Sequence, residues 1–156
     1  VSGWRRAADV QEIRLGRAAM GVFRALAKGR LVTLLLDQNA HRDEGVFAPF
    51  FGELALTRSA PAILAMNRGV PVLPVFVFRV GQTSRHVVKV CRPLELEPGD
   101  EDSTGAVERN VGRMSEAIEA AIRTAPDHWL WPHRRFKNRP AGEPSFYSRS
   151  RSRRLE

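Results

Sequence analysis

Asp37 and Gln38 stand directly behind the apolar run "RLVTLLL" and are the first residues whose types suggest chemistry. An acid at the end of a buried strand either caps the next turn or holds an arginine. In a binding site the same carboxylate would hold a sugar hydroxyl or orient a catalytic group. The segment "GVFAPFFG" follows, with Phe47, Phe50 and Phe51 set between Gly45 and Gly52. Three rings here either plug the core or form an apolar wall for a greasy substrate. A third cluster is "PDHWLWPHRRFKNRP", where Trp129 and Trp131 precede His133, Arg134, Arg135 and Lys137. Indoles beside cations suit a base-stacking site, a core cap or a membrane interface.

Several chemistries are excluded. His41, His86, His128 and His133 show no metal-helix spacing, and a single cysteine, Cys91, rules out an intrachain disulfide or a multi-cysteine metal site. No Gly-x-Ser-x-Gly elbow and no phosphate-binding Gly-x-x-x-x-Gly-Lys loop occur.

The elements that must position these residues follow from periodicity. "RAAMGVFRALAKG" places Ala19, Val22, Phe23 and Leu26 on one helical face, and Gly29 caps its end. "RLVTLLL" is apolar on both faces and predicts a buried parallel strand. The stretch from Asp37 to Gly52 predicts a long loop at that strand's C-terminal end. "TRSAPAILAMNRG" predicts a helix with Thr57 or Ser59 as cap, Pro61 in its first turn and Gly69 closing it. "VPVLPVFVFR" is a strand that starts late, because Pro71 and Pro74 have no N–H to give a ladder. "RHVVKVCRPLEL" predicts its antiparallel partner across a turn at Gly81. Val107, Val111, Met114, Ile118 and Ile122 then line one face of a long helix that Pro126 stops.

Strand, helix, strand implies an α/β fold: part of a mostly parallel or mixed sheet flanked by helices, joined by a right-handed crossover. Ligands in such sheets bind beyond the strands' carboxyl ends, which puts Asp37, Gln38 and the loop to Gly52 at a site edge.

The 156 residues suffice for one domain, and the formal net charge is +8. The charge is local: from His128 to Glu156 eight Lys/Arg face two acids. A local basic device of this kind meets phosphate on nucleic acid or on a membrane surface. Residues 1–140 read as one domain and 141–156 as a basic Ser/Arg-rich disordered tail. The longest apolar runs are far short of the roughly 20 residues a spanning helix needs. The start, "VSGWRRAADV", lacks Met and a signal pattern, which suggests a fragment or a trimmed chain.

"LVTLLLDQN", "GVFAPFFGELALT", "GVPVLPVFVFR" and "PDHWLWPHRRFKNRP", in this order, resemble the lipid A biosynthesis acyltransferases, the lauroyl and myristoyl transferases of the lysophospholipid acyltransferase superfamily. The likeness runs from about Ala19 to Pro140. "LLLDQN" takes the place of that superfamily's third motif block, and "VPVLPV" that of the fourth, with Pro74 as its proline. Arg14 or Arg17 falls where the second block should lie. The first block, His-x4-Asp/Glu, is missing, since the residues at that distance from the four histidines are Val46, Cys91, His133 and Asn138. Two letters depart from the family pattern, His128 and Pro132.

The resemblance implies the C-terminal part of an enzyme that moves a fatty acyl chain from an acyl thioester to a glycolipid hydroxyl. The thioester would be carried by acyl carrier protein or coenzyme A. The catalytic His and acid are expected upstream of Val1, and this chain alone is expected to be inactive. Asp37, Gln38, Phe47, Phe50, Phe51, Gly52, Thr57 and Arg79 become candidate substrate contacts. Trp129, Trp131, His133, Arg134, Arg135 and Lys137 become candidate contacts to membrane and phosphate. No metal or cofactor is implied, and no nucleic-acid partner. The implied location is the cytoplasmic face of the bacterial inner membrane, peripheral or anchored by a segment before Val1. A phosphatidylinositol mannoside-type acyltransferase is the alternative within the class. A non-catalytic module binding anionic lipid or nucleic acid is the alternative outside it.

Overall fold

Apolar residues at helical spacing and short β-branched runs give four helices and four strands in the computed structural model, which describes residues 2–13, 18–99 and 104–147. In chain order they are α1 (Ser2–Ala7), α2 (Ala18–Ala27), β1 (Gly45–Phe50), β2 (Glu53–Arg58), α3 (Ala60–Arg68), β3 (Val75–Arg79), β4 (His86–Val90) and α4 (Thr104–Thr124). A 3-10 turn at Pro126–His128 follows α4. The chain divides into two units, Val1–Leu34 and Leu35–Glu156. Arg14 and Arg17 lie outside the described residues, as do residues 148–156 of the tail.

In the first unit, α2 buries Val22 and ends as its sequence predicts. Gly29, at φ 68°, donates to the Leu26 carbonyl, while Arg30 N–H reaches back to Ala25. This is a Schellman closure, and the left-handed position favours glycine.

In the second unit the core lies between the β1–β2 hairpin and α4. Ala48, Ala62, Val107, Val111 and Met114 form one cluster, and Phe50, Ala55 and Ile122 a second. The periodic face of α4 is thus the buried one, and the helix ends before Pro126. Asn110 is fully buried on this helix; its side-chain amide both accepts from the Glu97 N–H (2.8 Å) and donates to the Glu97 carbonyl (3.0 Å). A buried amide satisfied on both sides pins the preceding loop to the helix. Helix α3 starts at Ser59 with Pro61 in its first turn and closes at Gly69, φ 59°. Ser59 occupies the cap position but its hydroxyl donates to the Glu44 carbonyl instead of capping.

Two expectations differ from what is observed. The stretch after Asn39 is not all loop: β1 and β2 pair antiparallel from Gly45↔Arg58 to Phe50↔Glu53. The connection is Phe51–Gly52, at φ 51° and 81°, the two left-handed positions of a tight hairpin turn. Phe51 tolerates this because α4 holds it, with Glu119 accepting its N–H at 2.8 Å and Arg123 lying over its ring.

The second difference concerns "RLVTLLL". Residues 31–36 form no strand, and among the described residues both sheets are antiparallel pairs, β1–β2 and β3–β4. The mixed α/β character is present, but not the parallel crossover. A run apolar on both faces becomes a central strand only with neighbours on both edges. Here Leu31, Leu34 and Leu35 are exposed, and Leu36 packs on the core. The β3–β4 pair forms as read: β3 begins after Pro74, and the turn contains Gly81 at φ 55°. Cys91 and Leu94 extend the pairing by donating to the Pro74 and Val72 carbonyls.

Gly45 supplies a direct test of the hairpin. A Cβ there would run into the backbone carbonyl of Thr57. Gly45→Ala is expected to cost about 1–3 kcal/mol by overpacking, read as a lowered urea midpoint. Gly112→Ala, which meets open space within α4, should instead gain up to about 1 kcal/mol from helix propensity, the opposite sign.

Candidate functional site

The segment after α4 places its charged residues alternately inward and outward. Arg135 goes inward and is 3% exposed. Its Nη1 donates to the Leu56 carbonyl (2.8 Å) and its Nη2 to the Thr57 hydroxyl (2.6 Å). Its guanidinium lies 4.9 Å from the centre of the Phe50 ring. Burial pulls its pKa down to about 10, against the opposing pull of Asp37 and then Tyr147. The group therefore stays cationic at neutral pH, as a buried charge held by hydrogen bonds and a ring face.

Arg139 is likewise buried. It donates to the Leu54 carbonyl (2.8 Å) and pairs with Glu53 (2.7 Å) and Glu143 (2.6 Å). Residues 136–147 then fold back as a ring cluster. Phe136 stacks on Phe146 at 4.5 Å, and the Phe136 N–H donates to the Tyr147 hydroxyl.

Between these buried anchors the same segment reaches the loop after Gln38. The Asn39 N–H donates to His133 Nε2 at 3.0 Å. Asn138 returns the contact: its N–H donates to Asn39 Oδ1 (3.2 Å) and its Nδ2 to the Ala40 carbonyl (2.9 Å). In this contact the His133 Nε2 serves as the acceptor. The result is an open groove of about 680 Å³ with residues 39–43 on one wall. Pro132, His133, Arg134, Lys137 and Asn138 form the other wall. Arg42, Arg134 and Lys137 give it positive charge against Asp43.

The residues singled out from the sequence thus fall into separate places. His133, Arg134 and Lys137 line the groove. Asp37 and Gln38 directly precede its first wall; Gln38 is exposed and Asp37 half-buried, with its Oδ1 buried and unpaired. Arg135, grouped by sequence with the phosphate-facing cations, points into the protein and donates to the Leu56 carbonyl and the Thr57 hydroxyl.

Phe50 is 2% exposed and packs on Phe51, Phe136 and Trp129. Phe47 is half-buried opposite Leu56, and Gly52 sits at the hairpin tip. Thr57 is sealed beneath Arg135. Arg79 stands exposed opposite His86 at the end of β3. None of these five lines the groove. Trp129 turns inward to Phe50, whereas Trp131 is 59% exposed with its indole N–H on the Pro126 carbonyl. Sequence reading does not single out Asn39, Arg42 or Asn138. Their importance comes from contacts across 94 to 99 positions, which leave no local signal. Among the described residues no cluster of His, Cys, Asp and Glu could hold a metal ion.

By themselves, fold and groove define a mixed α/β protein with a basic, anion-friendly cleft. Comparison with known proteins adds the family. The model of the bacterial lipid A biosynthesis acyltransferases matches residues 4–138. The lipid A biosynthesis palmitoleoyltransferase of Escherichia coli K12 is 36% identical over 128 residues, covering 81% of this chain and 40% of that protein. The lipid A biosynthesis lauroyltransferase of the same strain is 34% identical with the same coverage. A lipid A biosynthesis acyltransferase of Haemophilus influenzae is 26% identical over 130 residues. The chain belongs to the bacterial lipid A biosynthesis acyltransferase family, as its motifs suggest. It spans about 40% of the length of these curated relatives.

The inward and outward residues separate by stability. Arg135→Ala removes the donors to the Leu56 carbonyl and the Thr57 hydroxyl and opens a cavity beside Phe50, and should cost about 2–4 kcal/mol. Phe50→Ala should cost about 3–5 kcal/mol by opening a cavity. Exposed Lys137→Ala should stay within about 0.5 kcal/mol. Denaturant unfolding of the three variants checks the assignment.

Proposed function

We propose that the polypeptide to which these residues belong transfers a fatty acyl chain to a hydroxyl of an anionic glycolipid such as a lipid A precursor. The donor is an acyl thioester on acyl carrier protein or coenzyme A. The observation that carries this reading is the family match across residues 4–138.

The reaction makes one ester bond and breaks one thioester C–S bond. The acceptor hydroxyl is a weak nucleophile until a positioned base takes its proton. Its oxygen then attacks the thioester carbonyl, the oxyanion needs preorganised donors, and the thiol leaves with a proton. The His-x4-Asp/Glu pair that would supply the base is not among these 156 residues, so the base is assigned to another part of the polypeptide. No metal or redox cofactor enters these steps.

In this reading Asp37 and Gln38, next to the groove, contact the acceptor or brace the site. The reaction takes place at the cytoplasmic face of the inner membrane. Leu130 and Trp131, both about 60% exposed beside the basic groove, support a surface that meets a bilayer. Among the described residues no helix is long and apolar enough to cross a membrane.

The test is acyl-ester formation by the full natural polypeptide, with acyl carrier protein and coenzyme A thioesters offered separately. Transfer to a glycolipid hydroxyl is expected with one of them. Asp37→Asn should lower kcat/KM on the order of tenfold or more while leaving the urea midpoint nearly unchanged. No ester from either donor would contradict the reading.

A further inference from the structure

The acyltransferase reading gives Asp37 a task and leaves the buried Arg135 with none. We propose that Arg135 is the positioning residue of Asp37, holding its carboxylate in place beside the groove and acting on the reaction through it. The word reaction rests on the acyltransferase reading; the pairing of the two groups rests on their burial and on the bonds that bring their backbones together.

Those bonds fix both groups to one point of the fold. Asn39, two residues after Asp37, donates to His133 Nε2 at 3.0 Å, and His133 lies two residues before Arg135. The Leu56 carbonyl accepts from the Ala40 N–H at 3.1 Å and from Arg135 Nη1 at 2.8 Å. One backbone oxygen of β2 therefore holds both the loop that follows Asp37 and the guanidinium.

The guanidinium is also fixed in orientation. The Thr57 hydroxyl donates to the Ala55 carbonyl (3.1 Å) and accepts from Arg135 Nη2 (2.6 Å), and the Phe50 ring lies against the guanidinium. With both Nη groups committed to β2, the nitrogen left over is Nε, buried and without a protein partner. Asp37 Oδ1 is an acceptor in the same condition. A buried carboxylate oxygen with no donor is costly unless a cation compensates it. Burial lowers the Arg135 pKa, and Asp37 opposes that pull more strongly than Tyr147 does. A carboxylate held by a fixed charge has less freedom to lose when a substrate hydroxyl arrives.

Arg139 supplies the control. It ties the same segment to β2 through the Leu54 carbonyl, but its carboxylate partners are Glu53 and Glu143. The experiment measures acyl-ester formation by the full natural polypeptide for the wild type, Arg135→Gln, Arg135→Lys, Asp37→Asn, the Arg135→Gln/Asp37→Asn pair and Arg139→Gln. Arg135→Gln removes the charge and keeps a donor, whereas Arg135→Lys keeps the charge and loses the planar fork. Arg135→Gln should lower kcat/KM on the order of tenfold, as Asp37→Asn does, and Arg135→Lys should restore most of that loss. The two losses should not multiply, so the double variant should match Asp37→Asn alone. Arg139→Gln should lower the urea midpoint as Arg135→Gln does, yet leave kcat/KM within about twofold of the wild type. A second readout is independent of activity: the NMR resonance of the Asp37 side-chain carboxyl carbon should move in Arg135→Gln and stay near its wild-type position in Arg139→Gln.

The proposal is overturned if the Arg135→Gln and Asp37→Asn losses multiply, or if Arg135→Lys is as impaired as Arg135→Gln. It is also overturned if Arg139→Gln loses as much activity, or if the Asp37 resonance ignores Arg135→Gln. No ester from the wild type, with the resonance still responding to Arg135, removes the enzyme reading while the pairing of the two groups stands.

Discussion

Arg135 is the residue on which the second unit depends. A cation this deeply buried is costly unless its donors are answered. The Leu56 carbonyl and the Thr57 hydroxyl take its two Nη groups and the face of Phe50 meets the guanidinium, while the buried Nε has no protein partner. The groups that meet it belong to the β1–β2 hairpin, while Arg135 belongs to the segment after α4. The interaction therefore closes the chain on itself across 78 and 79 positions. Arg139 repeats the connection at the other end of β2.

With the segment held by these two arginines, the residues between and beside them acquire fixed directions. His133 and Asn138 reach the loop behind Asp37 and Gln38, and Arg134 and Lys137 are left along the outer wall. One short stretch thus does two jobs by alternation. Its inward side chains hold the hairpin, and its outward ones form the cleft. This also resolves the pairing of greasy and cationic residues in "PDHWLWPHRRFKNRP". Trp129 joins the core beside Phe50, while Trp131 and Leu130 remain at the surface next to the cations.

Much of the fold was legible because it is written locally. The spacing from Val107 to Ile122, the Pro and Gly around α3, and the late start of β3 each have a cause within a few residues. The family motifs were legible for the same reason. The β1–β2 hairpin was not, because its turn places a phenylalanine at a left-handed position that only Glu119 and Arg123, far along the chain, make tolerable. Residues 31–36 misled in the opposite sense: their apolarity predicts a buried parallel strand, but strand formation depends on neighbours that local pattern does not contain. The site divides in the same way. Arg134 and Arg135 are adjacent and identical in type, so sequence could group them but not see that one faces the groove and the other the core. Asn39 and Asn138 carry no chemical signal until they are brought together.

The most direct measurement is amide hydrogen exchange at Asn39 and Asn138 in the full natural polypeptide. Both N–H groups are bonded across the two walls, to His133 Nε2 and to Asn39 Oδ1. If Arg135 holds the walls together, both amides are protected, and Arg135→Ala accelerates both while the amides of α4 remain protected. Exchange of Asn39 and Asn138 at open-chain rates in the wild type would contradict the account. So would unchanged protection of both in the variant.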